Sequence, residues 1–466
     1  MDLDPLLLSR VQFAFTIAFH ILFPAFTIGL AAWIVVLEGL WLASGRDLYR
    51  SLSEFWTRIF AVSFGMGVVS GIVMSYQFGT NWSRFALATG NILGPLLNFE
   101  VMTAFFLEAT FLGILLFGRD RVSRRMHFLA ALLVALGTLI SAFWILAASS
   151  WMHTPAGFEL RDGRYYATDW WAAIFNPSFP YRFLHMVTAA FLTTAFAVAG
   201  TSAYHLLMGR FGPQARIGLS WSLGLAALLA PAQILLGDLH GLNTLAHQPA
   251  KVAAMEGHWE SQAGAPLILF ALPDPETETN RWEVAIPKLG SLILTHHWEG
   301  EVKGLKTWPR EDRPYVPLVF WSFRLMVAIG VAMLAVAALG MVLRVSGRLY
   351  DSDWFLRIVV AASPLGFVAI LAGWVTTESG RQPWIIHGLM RTADAASPSV
   401  GGGSTALSLA AFILAYTVIF GAGLYYVLRL IRTGPRGPRQ AVAGRATPAR
   451  PIAAADEPLE ESRGHL

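Results

Sequence analysis

The sequence has no cysteine and few charged residues. The absence of Cys among its 466 residues excludes disulfides, cysteine-ligated iron–sulfur clusters, thiolate zinc or copper sites and haem attached through thioethers. Charged residues make up 14% and hydrophobic residues 55% of the chain, whereas about a quarter of a soluble domain is charged. A water-soluble fold is therefore excluded, and any redox metal must be bound by His, Met or carboxylate side chains.

Long apolar runs recur along the chain, each enough to cross a hydrocarbon core about 30 Å thick. They cover residues 12–41, 57–78, 95–117, 127–149, 183–207, 217–238, 317–343, 354–377 and 405–430. The sequence therefore predicts an all-α membrane protein with nine transmembrane helices. The first run is longer than the apolar region of a signal peptide and has no small-residue cleavage site, so we expect it to remain as a helix.

The runs divide the chain into four predicted regions. We expect helices 1 to 6 in residues 1–238, an outer loop in 239–316, helices 7 to 9 in 317–432 and a disordered tail in 433–466. A connection as long as the outer loop is usually functional or disordered. Because this one mixes Trp, Ile and Leu with its charges, we expect it to fold against the helices.

Basic residues are concentrated in alternate connections between the apolar runs. They are Arg46 and Arg50, then Arg119, Arg121, Arg124 and Arg125, then Arg210 and Arg216, then Arg344 and Arg348, and finally the arginines after Arg429. Nine helices place all of them on one side, which the positive-inside rule assigns to the cytoplasm, with the N-terminus outside and the C-terminus cytoplasmic. Since these short segments explain the net charge of +4, we predict no nucleic-acid binding.

Five side chains that can bind iron or protons lie in the spans, all in the predicted outer half. His20 lies in helix 1, Glu100, His185 and Met326 open helices 3, 5 and 7, and Glu378 closes helix 8. Taken singly, each of the five side chains could be a helix-packing residue or an interfacial group. As a set they suit haem, because a His/Met pair gives a six-coordinate, low-spin iron, whereas a carboxylate or a single His leaves a position for oxygen.

Three arginines stand at the same predicted level, namely Arg10, Arg324 and Arg381. A guanidinium there can pair with the propionates of a haem, or it can extend to the membrane interface, and the sequence favours neither reading.

Glu108 follows Glu100 by eight residues, so the two carboxylates share one helix face with a rise of about 12 Å, a spacing that suits stepwise proton transfer. Ser141 either continues that path or bonds to its own helix. Trp374, one turn before Glu378, either contacts what Glu378 binds or packs as an ordinary aromatic.

Several motifs together resemble subunit I of the cytochrome bd-type quinol oxidases, over residues 5–430. They are LSRVQF at 8–13 leading to His20, NFE at 98–100 with Glu108, FLH at 183–185, FWSFRLM at 320–326 and GWVTTESGRQPW at 373–384. The GRQPW and SFRLM segments are the specific ones, whereas the single histidines gain weight only from occupying the expected helices.

The resemblance implies a terminal oxidase with three haems and no copper, which oxidises ubiquinol or menaquinol and reduces O2 to water. His185 and Met326 match the ligands of the low-spin b haem, and His20 and Glu378 match ligands of the two high-spin haems. Glu100 lies beside that pair as a further candidate ligand. Trp374 matches an aromatic between haems, and Glu108 and Ser141 match a proton route from the cytoplasm. The implied partners are a subunit II, a candidate small single-helix subunit and the lipid bilayer of a bacterial inner membrane.

The outer loop carries QPAK at 248–251 and EGHW at 256–259, which are similar to the family's quinol loop. Lys251 and Glu256 match its quinol-contacting residues, and a carboxylate base beside a cation suits a reaction that releases protons. Only some 70 residues separate Glu256 from Met326, so the chain resembles the short-loop, cyanide-insensitive form. That likeness leaves open whether the third haem is d or b.

Three other classes of membrane protein are alternatives. A haem–copper oxidase needs an adjacent His pair in a helix, but His296 and His297 lie in the outer loop, so we reject it. A haem-b membrane anchor that exchanges electrons with quinone would leave Glu100, Glu378 and Arg381 unexplained. An ion-coupled transporter would favour midplane charges and broken helices. A reduced-minus-oxidised spectrum distinguishes the last two from an oxidase.

Overall fold

The structure, a computed structural model, describes residues 4–435, so most of the predicted tail lies outside the described residues. Its α-helices are α1 Pro5–His20, α2 Leu22–Ser44, α3 Asp47–Thr80, α4 Ser83–Glu100, α5 Phe106–Phe117, α6 Arg124–His153, α7 Trp170–Ile174, α8 Phe179–Leu207, α9 Gly212–His247, α10 Pro249–Glu256, α11 Leu289–Thr295, α12 Val316–Val345, α13 Asp353–Ala362, α14 Leu365–Ser379, α15 Thr392–Ala395 and α16 Gly402–Thr433. A π-helical segment, Val101–Phe105, joins α4 to α5, and 3₁₀ turns occupy Leu305–Thr307 and Arg310–Asp312.

The strands are short and form antiparallel pairs. They are β1 Phe158–Arg161 with β2 Arg164–Ala167, β3 Gln262–Ala263 with β6 Glu301–Val302, β4 Leu267–Asp274 with β5 Thr279–Ile286, and β7 Trp384–Ile386 with β8 Met390–Arg391. In the longest pair Leu267 lies opposite Ile286 and Asp274 opposite Thr279.

Nine helical segments within residues 4–435 are long and apolar enough to cross a membrane, which confirms the predicted fold class. They are Pro5–Ser44, Asp47–Thr80, Ser83–Phe117, Arg124–His153, Phe179–Leu207, Gly212–His247, Arg310–Val345, Asp353–Ser379 and Gly402–Thr433. Four of them are interrupted: the first at Ile21, the third by the π-helical segment, the seventh between Asp312 and Val316, and the eighth at Ser363 and Pro364.

The third span corrects the predicted position of Glu100. We expected the span to begin near residue 95, but it begins at Ser83, so Glu100 lies close to the middle of its 35 residues rather than at its start. His185 and Met326 likewise do not open their helices, since α8 begins six residues before His185 and α12 ten residues before Met326. Glu378 does lie at the end of α14, as predicted.

The arginine-rich connections meet at one end of the bundle, which we call the basic end. Arg50 pairs with Asp120 at 3.0 Å, and Arg210 donates to the carbonyl of Arg432 at 3.1 Å. A buried ion cluster lies beside them, in which the fully buried Glu38 of α2 accepts hydrogen bonds from Arg119 and His127. The cluster therefore ties α2 and α6 to the connection after α5.

The opposite end carries residues 248–315, and we call it the loop end. There α10 packs on the start of α12, with Ala253 and Ala254 in one buried cluster with Val316 and Val319. The ring of Phe270 on β4 meets Trp321 of α12 at 5.1 Å between centroids. The expectation that the loop folds against the helices is confirmed, although α9 continues past residue 238 to His247.

Candidate functional site

A cavity of about 1920 Å³ runs between the helices, and apolar side chains form most of its wall. All thirteen residues selected from the sequence line it, namely Arg10, His20, Glu100, Glu108, Ser141, His185, Lys251, Glu256, Arg324, Met326, Trp374, Glu378 and Arg381. The volume is about twice the upper end of the usual range for a small-molecule pocket, roughly 300–1,000 Å³. The cavity is therefore large enough for more than one bound group.

His185 and Met326 each face a glycine of a neighbouring helix. A Cβ at Gly237 of α9 would stand 3.3 Å from Cε1 of His185, and a Cβ at Gly373 of α14 would stand 2.8 Å from Sδ of Met326. Gln233, one turn before Gly237, places its Nε2 3.2 Å from Nδ1 of His185. Both candidate ligands are thus held where any larger neighbour would displace them.

His20, the last residue of α1, is oriented by Ser70 of α3. Its Nδ1 lies 3.0 Å from Oγ of Ser70, and that hydroxyl already donates to the carbonyls of Met66 and Gly67. The hydroxyl therefore accepts from Nδ1–H, which leaves Nε2 of His20 without a proton and able to bind a metal.

Glu378 is surrounded by Arg381 of the turn that follows it and by side chains of two other helices. Its carboxylate accepts from Arg381 at 2.5 Å, and Nε2 of His153, the last residue of α6, lies 3.2 Å away. Arg182 of α8 lies 3.7 Å from the same carboxylate. Nε and Nη1 of Arg381 and Nε of Arg182 are buried without a hydrogen-bond partner among residues 4–435, so donors remain for an anionic ligand.

Lys251 of α10 reaches this cluster from the loop side. Its Nζ lies 3.2 Å from Nδ1 of His153, and Gln248 donates to the carbonyl of His153 at 2.7 Å. Burial, with Arg182 nearby, holds the pKa of Lys251 well below its usual range.

Glu256, at the end of α10, is paired with Arg324 of α12. Arg324 donates to the Glu256 carboxylate at 2.7 Å and to the carbonyl of Ile268 at 2.7 Å. Its guanidinium lies over the ring of Phe320, 4.7 Å from the centroid. Arg324 therefore joins the loop to α12 by a charge-assisted hydrogen bond.

Glu100 and Glu108 face the same side of α6. Ser141 donates to Glu100 at 2.8 Å instead of bonding to its own helix, and a Cβ at Gly137, one turn earlier, would stand 2.5 Å from Cγ of Glu108. Glu108 is buried, and its Oε1 has no partner among residues 4–435. The two carboxylates are thus arranged in sequence along one face of α6.

Arg10 and Trp374 complete the lining of the cavity. Arg10 is exposed, whereas Trp374 is half-buried, one turn before Glu378 on α14.

Four lining residues were missed from the sequence: Arg182, His153, His240 and Gln233. Arg182 and His153 lie just outside apolar runs, where they look like interfacial groups. The ring of His240, whose centroid is 5.6 Å from that of His185, belongs to α9 beyond its predicted end. The sequence signal that could have identified Arg182 and His153 is an ionisable residue close to the end of an apolar run.

A model of the family described as cytochrome bd terminal oxidase subunit I matches residues 8–435. The chain belongs to this family. It is therefore an oxidoreductase subunit of a respiratory chain and a multi-pass protein of the bacterial inner membrane, and members of the family bind haem. A subunit I also implies a subunit II as its partner.

Relatives and a solved structure agree over nearly the whole chain. Cytochrome bd ubiquinol oxidase subunit 1 of Bacillus subtilis (strain 168) is 38% identical over 444 residues, covering 93% of this chain and 94% of that protein. Cytochrome bd-II ubiquinol oxidase subunit 1 of Escherichia coli (strain K12) is 33% identical over 502 residues, covering 93% and 97%. The structure of bd oxidase from Geobacillus thermodenitrificans superposes with a TM-score of 0.86 at 33% identity, covering 93% of this chain and all of that one.

The donor set of the cavity fits haem. Among residues 4–435 no three His, Cys, Asp or Glu side chains cluster closely enough to hold a metal ion by themselves. An iron held by His20, or by His185 with Met326, would need its remaining ligands from a cofactor such as haem. The unpartnered arginine nitrogens near Glu378 supply donors that haem propionates would accept.

Proposed function

We propose that this chain is the haem-bearing catalytic subunit of a quinol oxidase, which oxidises quinol at the loop end and reduces O2 to water with protons taken from the basic end. The observation that carries the proposal is the cavity itself. It connects the loop residues Lys251 and Glu256 with the carboxylates Glu100 and Glu108 and includes every candidate haem ligand between them.

The candidate haem ligands divide into two sets. His185 and Met326 would bind a low-spin b haem. His20 and Glu378, with Glu100 as a further candidate, would serve two high-spin haems. When bound, the haems supply electron transfer and oxygen reduction. The chain's own contribution is to fix each ligand, through Ser70 on His20 and the glycines opposite His185 and Met326.

At the loop end the proposed substrate is ubiquinol or menaquinol. Its oxidation releases two protons, and the Glu256 carboxylate, which is paired with Arg324, can accept one of them. Lys251 presents its Nζ toward His153 and the cavity. Because both side chains are buried, at 5% and 7% exposure, quinol would bind in a site from which water is largely excluded.

The proposed proton route to the oxygen site starts at the basic end. Glu108 carries a titratable proton, and Ser141, bonded to Glu100, continues the route along α6. Contacts among the arginine-rich connections place them at one end, and the positive-inside rule would make that end cytoplasmic. Protons released outside and consumed inside would generate a proton motive force without a pump.

The finer composition of the complex is part of the same proposal. We expect two b haems with a third haem that is d or b, no copper, a subunit II and a candidate small single-helix subunit. The short connection between Glu256 and Met326 supports the short-loop form.

Two features match the pattern that we associated with a transporter, namely interrupted helices and a carboxylate near the middle of a span. Family membership accounts for both, and the His/Met pair and the oriented His20 have no role in ion transport. A haem-b anchor likewise leaves the Glu378 cluster without a purpose.

The deciding experiment is a spectrum and an oxygen assay on the purified complex with its partner subunit. We expect low-spin and high-spin haem signals in the reduced-minus-oxidised spectrum and quinol-dependent oxygen consumption. A low-spin signal alone would leave a haem-b anchor, and no haem signal would reject the proposal. Met326→Leu and His185→Ala should each remove the low-spin signal, because neither replacement can ligate iron. His20→Ala and Glu378→Ala should instead perturb the high-spin signals and abolish oxygen consumption.

A further inference from the structure

We propose that His153 is a positioning residue that holds the carboxylate of Glu378 in one orientation and links it to Lys251 of the loop. The inference rests on the proposed function, in which Glu378 binds a high-spin haem, and it adds a residue that the sequence analysis did not select. His153 ends α6, Glu378 lies in the last turn of α14 and Lys251 lies in α10, so one imidazole joins three elements at the loop end.

The neighbours of His153 determine which ring nitrogen carries the proton. Nδ1 faces Nζ of Lys251 at 3.2 Å and Nε2 of Gln248 at 3.3 Å. The amide nitrogen of Gln248 can only donate, so Nδ1 accepts. The amide orientation of Gln248 is supported by its hydrogen bond to the carbonyl of His153 at 2.7 Å.

With Nδ1 accepting, the proton lies on Nε2, which is 3.2 Å from Oε1 of Glu378. That nitrogen therefore donates to the carboxylate. Arg381 donates to the other carboxylate oxygen at 2.5 Å, so both oxygens of Glu378 are held. Residues that hydrogen-bond to a metal ligand in this way fix its orientation, and their loss typically costs about 10- to 100-fold in metal affinity or activity.

The position of Lys251 depends on a glycine next to the same cluster. A Cβ at Gly380 would stand 2.7 Å from Cγ of Lys251, so the stem of the lysine passes directly over the backbone between Glu378 and Arg381. Only with this space open can Nζ reach His153. The link from loop to carboxylate is therefore built into the packing and does not depend on an exposed, mobile side chain, because His153 is 2% and Lys251 5% exposed.

This contact would couple the proposed quinol site at Lys251 to the proposed haem ligand Glu378. A quinol that draws Nζ of Lys251 away from His153 would remove one of the two groups that contact Nδ1 of the imidazole. The orientation of Glu378 would then respond to the loop without any movement of the helices.

The test uses the purified complex with its partner subunit and six forms of the chain: parent, His153→Leu, His153→Gln, Lys251→Met, the double variant His153→Leu with Lys251→Met, and the control His258→Leu. His258 is also 2% exposed and at the loop end, but it bonds to the carbonyl of Pro266 instead of Glu378. The readouts are haem content, the spectrum and midpoint potential of the high-spin haems, and the position of the low-spin band.

We expect His153→Leu to shift the high-spin spectrum and potential and to lower oxygen turnover about 10- to 100-fold, with the low-spin band at its parental position. His153→Gln should recover the parental values, since glutamine also offers one donor and one acceptor. Lys251→Met should shift the same high-spin signals to a smaller extent, and adding it to His153→Leu should produce no further change.

Parental high-spin signals in His153→Leu, or the same shift in His258→Leu, would overturn the inference while leaving the oxidase assignment intact. Failure of His153→Gln to recover the signals would also overturn it. If His153→Leu does not assemble, Lys251→Met decides, because an unchanged high-spin spectrum there shows that no link exists. A parent complex without haem would instead reject the proposed function.

Discussion

Gly373 of α14 lies directly against the thioether of Met326 on α12, so that a Cβ at position 373 would stand 2.8 Å from Sδ. Real Cβ contacts are not that short, and the methionine would have to move. The position of a candidate iron ligand is therefore set by a residue that carries no side chain.

Gly373→Ala is expected to displace Sδ and to shift or remove the low-spin haem signal, while the high-spin signals remain. The reduced-minus-oxidised spectrum measures both. Gly421→Ala on α16 is the matched control, because a Cβ there meets nothing within 4 Å. A parental low-spin band in Gly373→Ala would show that Met326 is not a ligand.

Glu108→Gln keeps the size of the side chain but removes its titratable proton. Positioned proton transfer contributes about 10²- to 10⁴-fold to rate, so we expect oxygen turnover to fall at least about 100-fold. Anaerobic reduction of the low-spin haem by quinol should keep its rate, because electron entry does not use Glu108. Glu54→Gln at the basic end, where the carboxylate pairs with Arg50, is the control. Normal turnover in Glu108→Gln would make Glu108 a structural residue.

Arg324→Leu leaves the buried carboxylate of Glu256 without its cation. Hydrogen bonds to charged groups contribute about 1.5–3 kcal/mol, so the KM for quinol should rise about tenfold or more. An artificial donor that reduces the low-spin haem directly should still support oxygen reduction.

The control for that variant is Arg313→Leu, which breaks a similar pair with Glu278 of the loop. Lys251→Ala and Glu256→Ala should show the same split between donors as Arg324→Leu. Equal loss with quinol and with the artificial donor would indicate that Arg324 holds a haem propionate instead of the quinol site.

His387 supplies a prediction about pH. Burial, with Lys251 and Arg381 nearby, lowers the pKa of His387 to about 4, below its usual value of about 6.5. Between pH 4 and pH 6.5 the unfolded chain therefore binds more protons at this residue than the folded chain does. As a result, the free energy of unfolding has its full value above pH 6.5 and decreases as the pH falls toward 4. We expect the Tm of His387→Asn to fall less than that of the parent between pH 7 and pH 5, whereas the exposed His297→Asn should follow the parent. Identical pH profiles for parent and His387→Asn would contradict this assignment.

The spans could be predicted because each needs about 20 apolar residues in a row, a local property of the sequence. The start of the third span could not, since Asn91 and the adjacent Gly94 and Pro95 reduce the apolar character of α4 before residue 95. The predicted orientation and tail remain predictions, the latter because residues 436–466 lie outside the described part of the chain.

Only part of the site could be predicted, because sequence motifs are local whereas many side-chain contacts are not. Residues that match a motif, such as Glu378 and Arg381, could be selected from the sequence. His153 could not, because its significance comes from Glu378, which is 225 residues away and adjacent only in the folded chain. Arg324 was selected as a partner for haem, but its pairing with Glu256 across the loop is a tertiary contact that no local pattern indicates.

The π-helical segment Val101–Phe105 allows the third span to hold one residue more between its two carboxylates than a regular helix with the same rotation would. Seven residues of an α-helix turn the chain by about 700°, close to two full turns, so deleting one residue within 101–105 would restore a regular helix and keep Glu100 and Glu108 on one face of the span. A second deletion would rotate Glu100 by about a further 100° and separate it from Ser141.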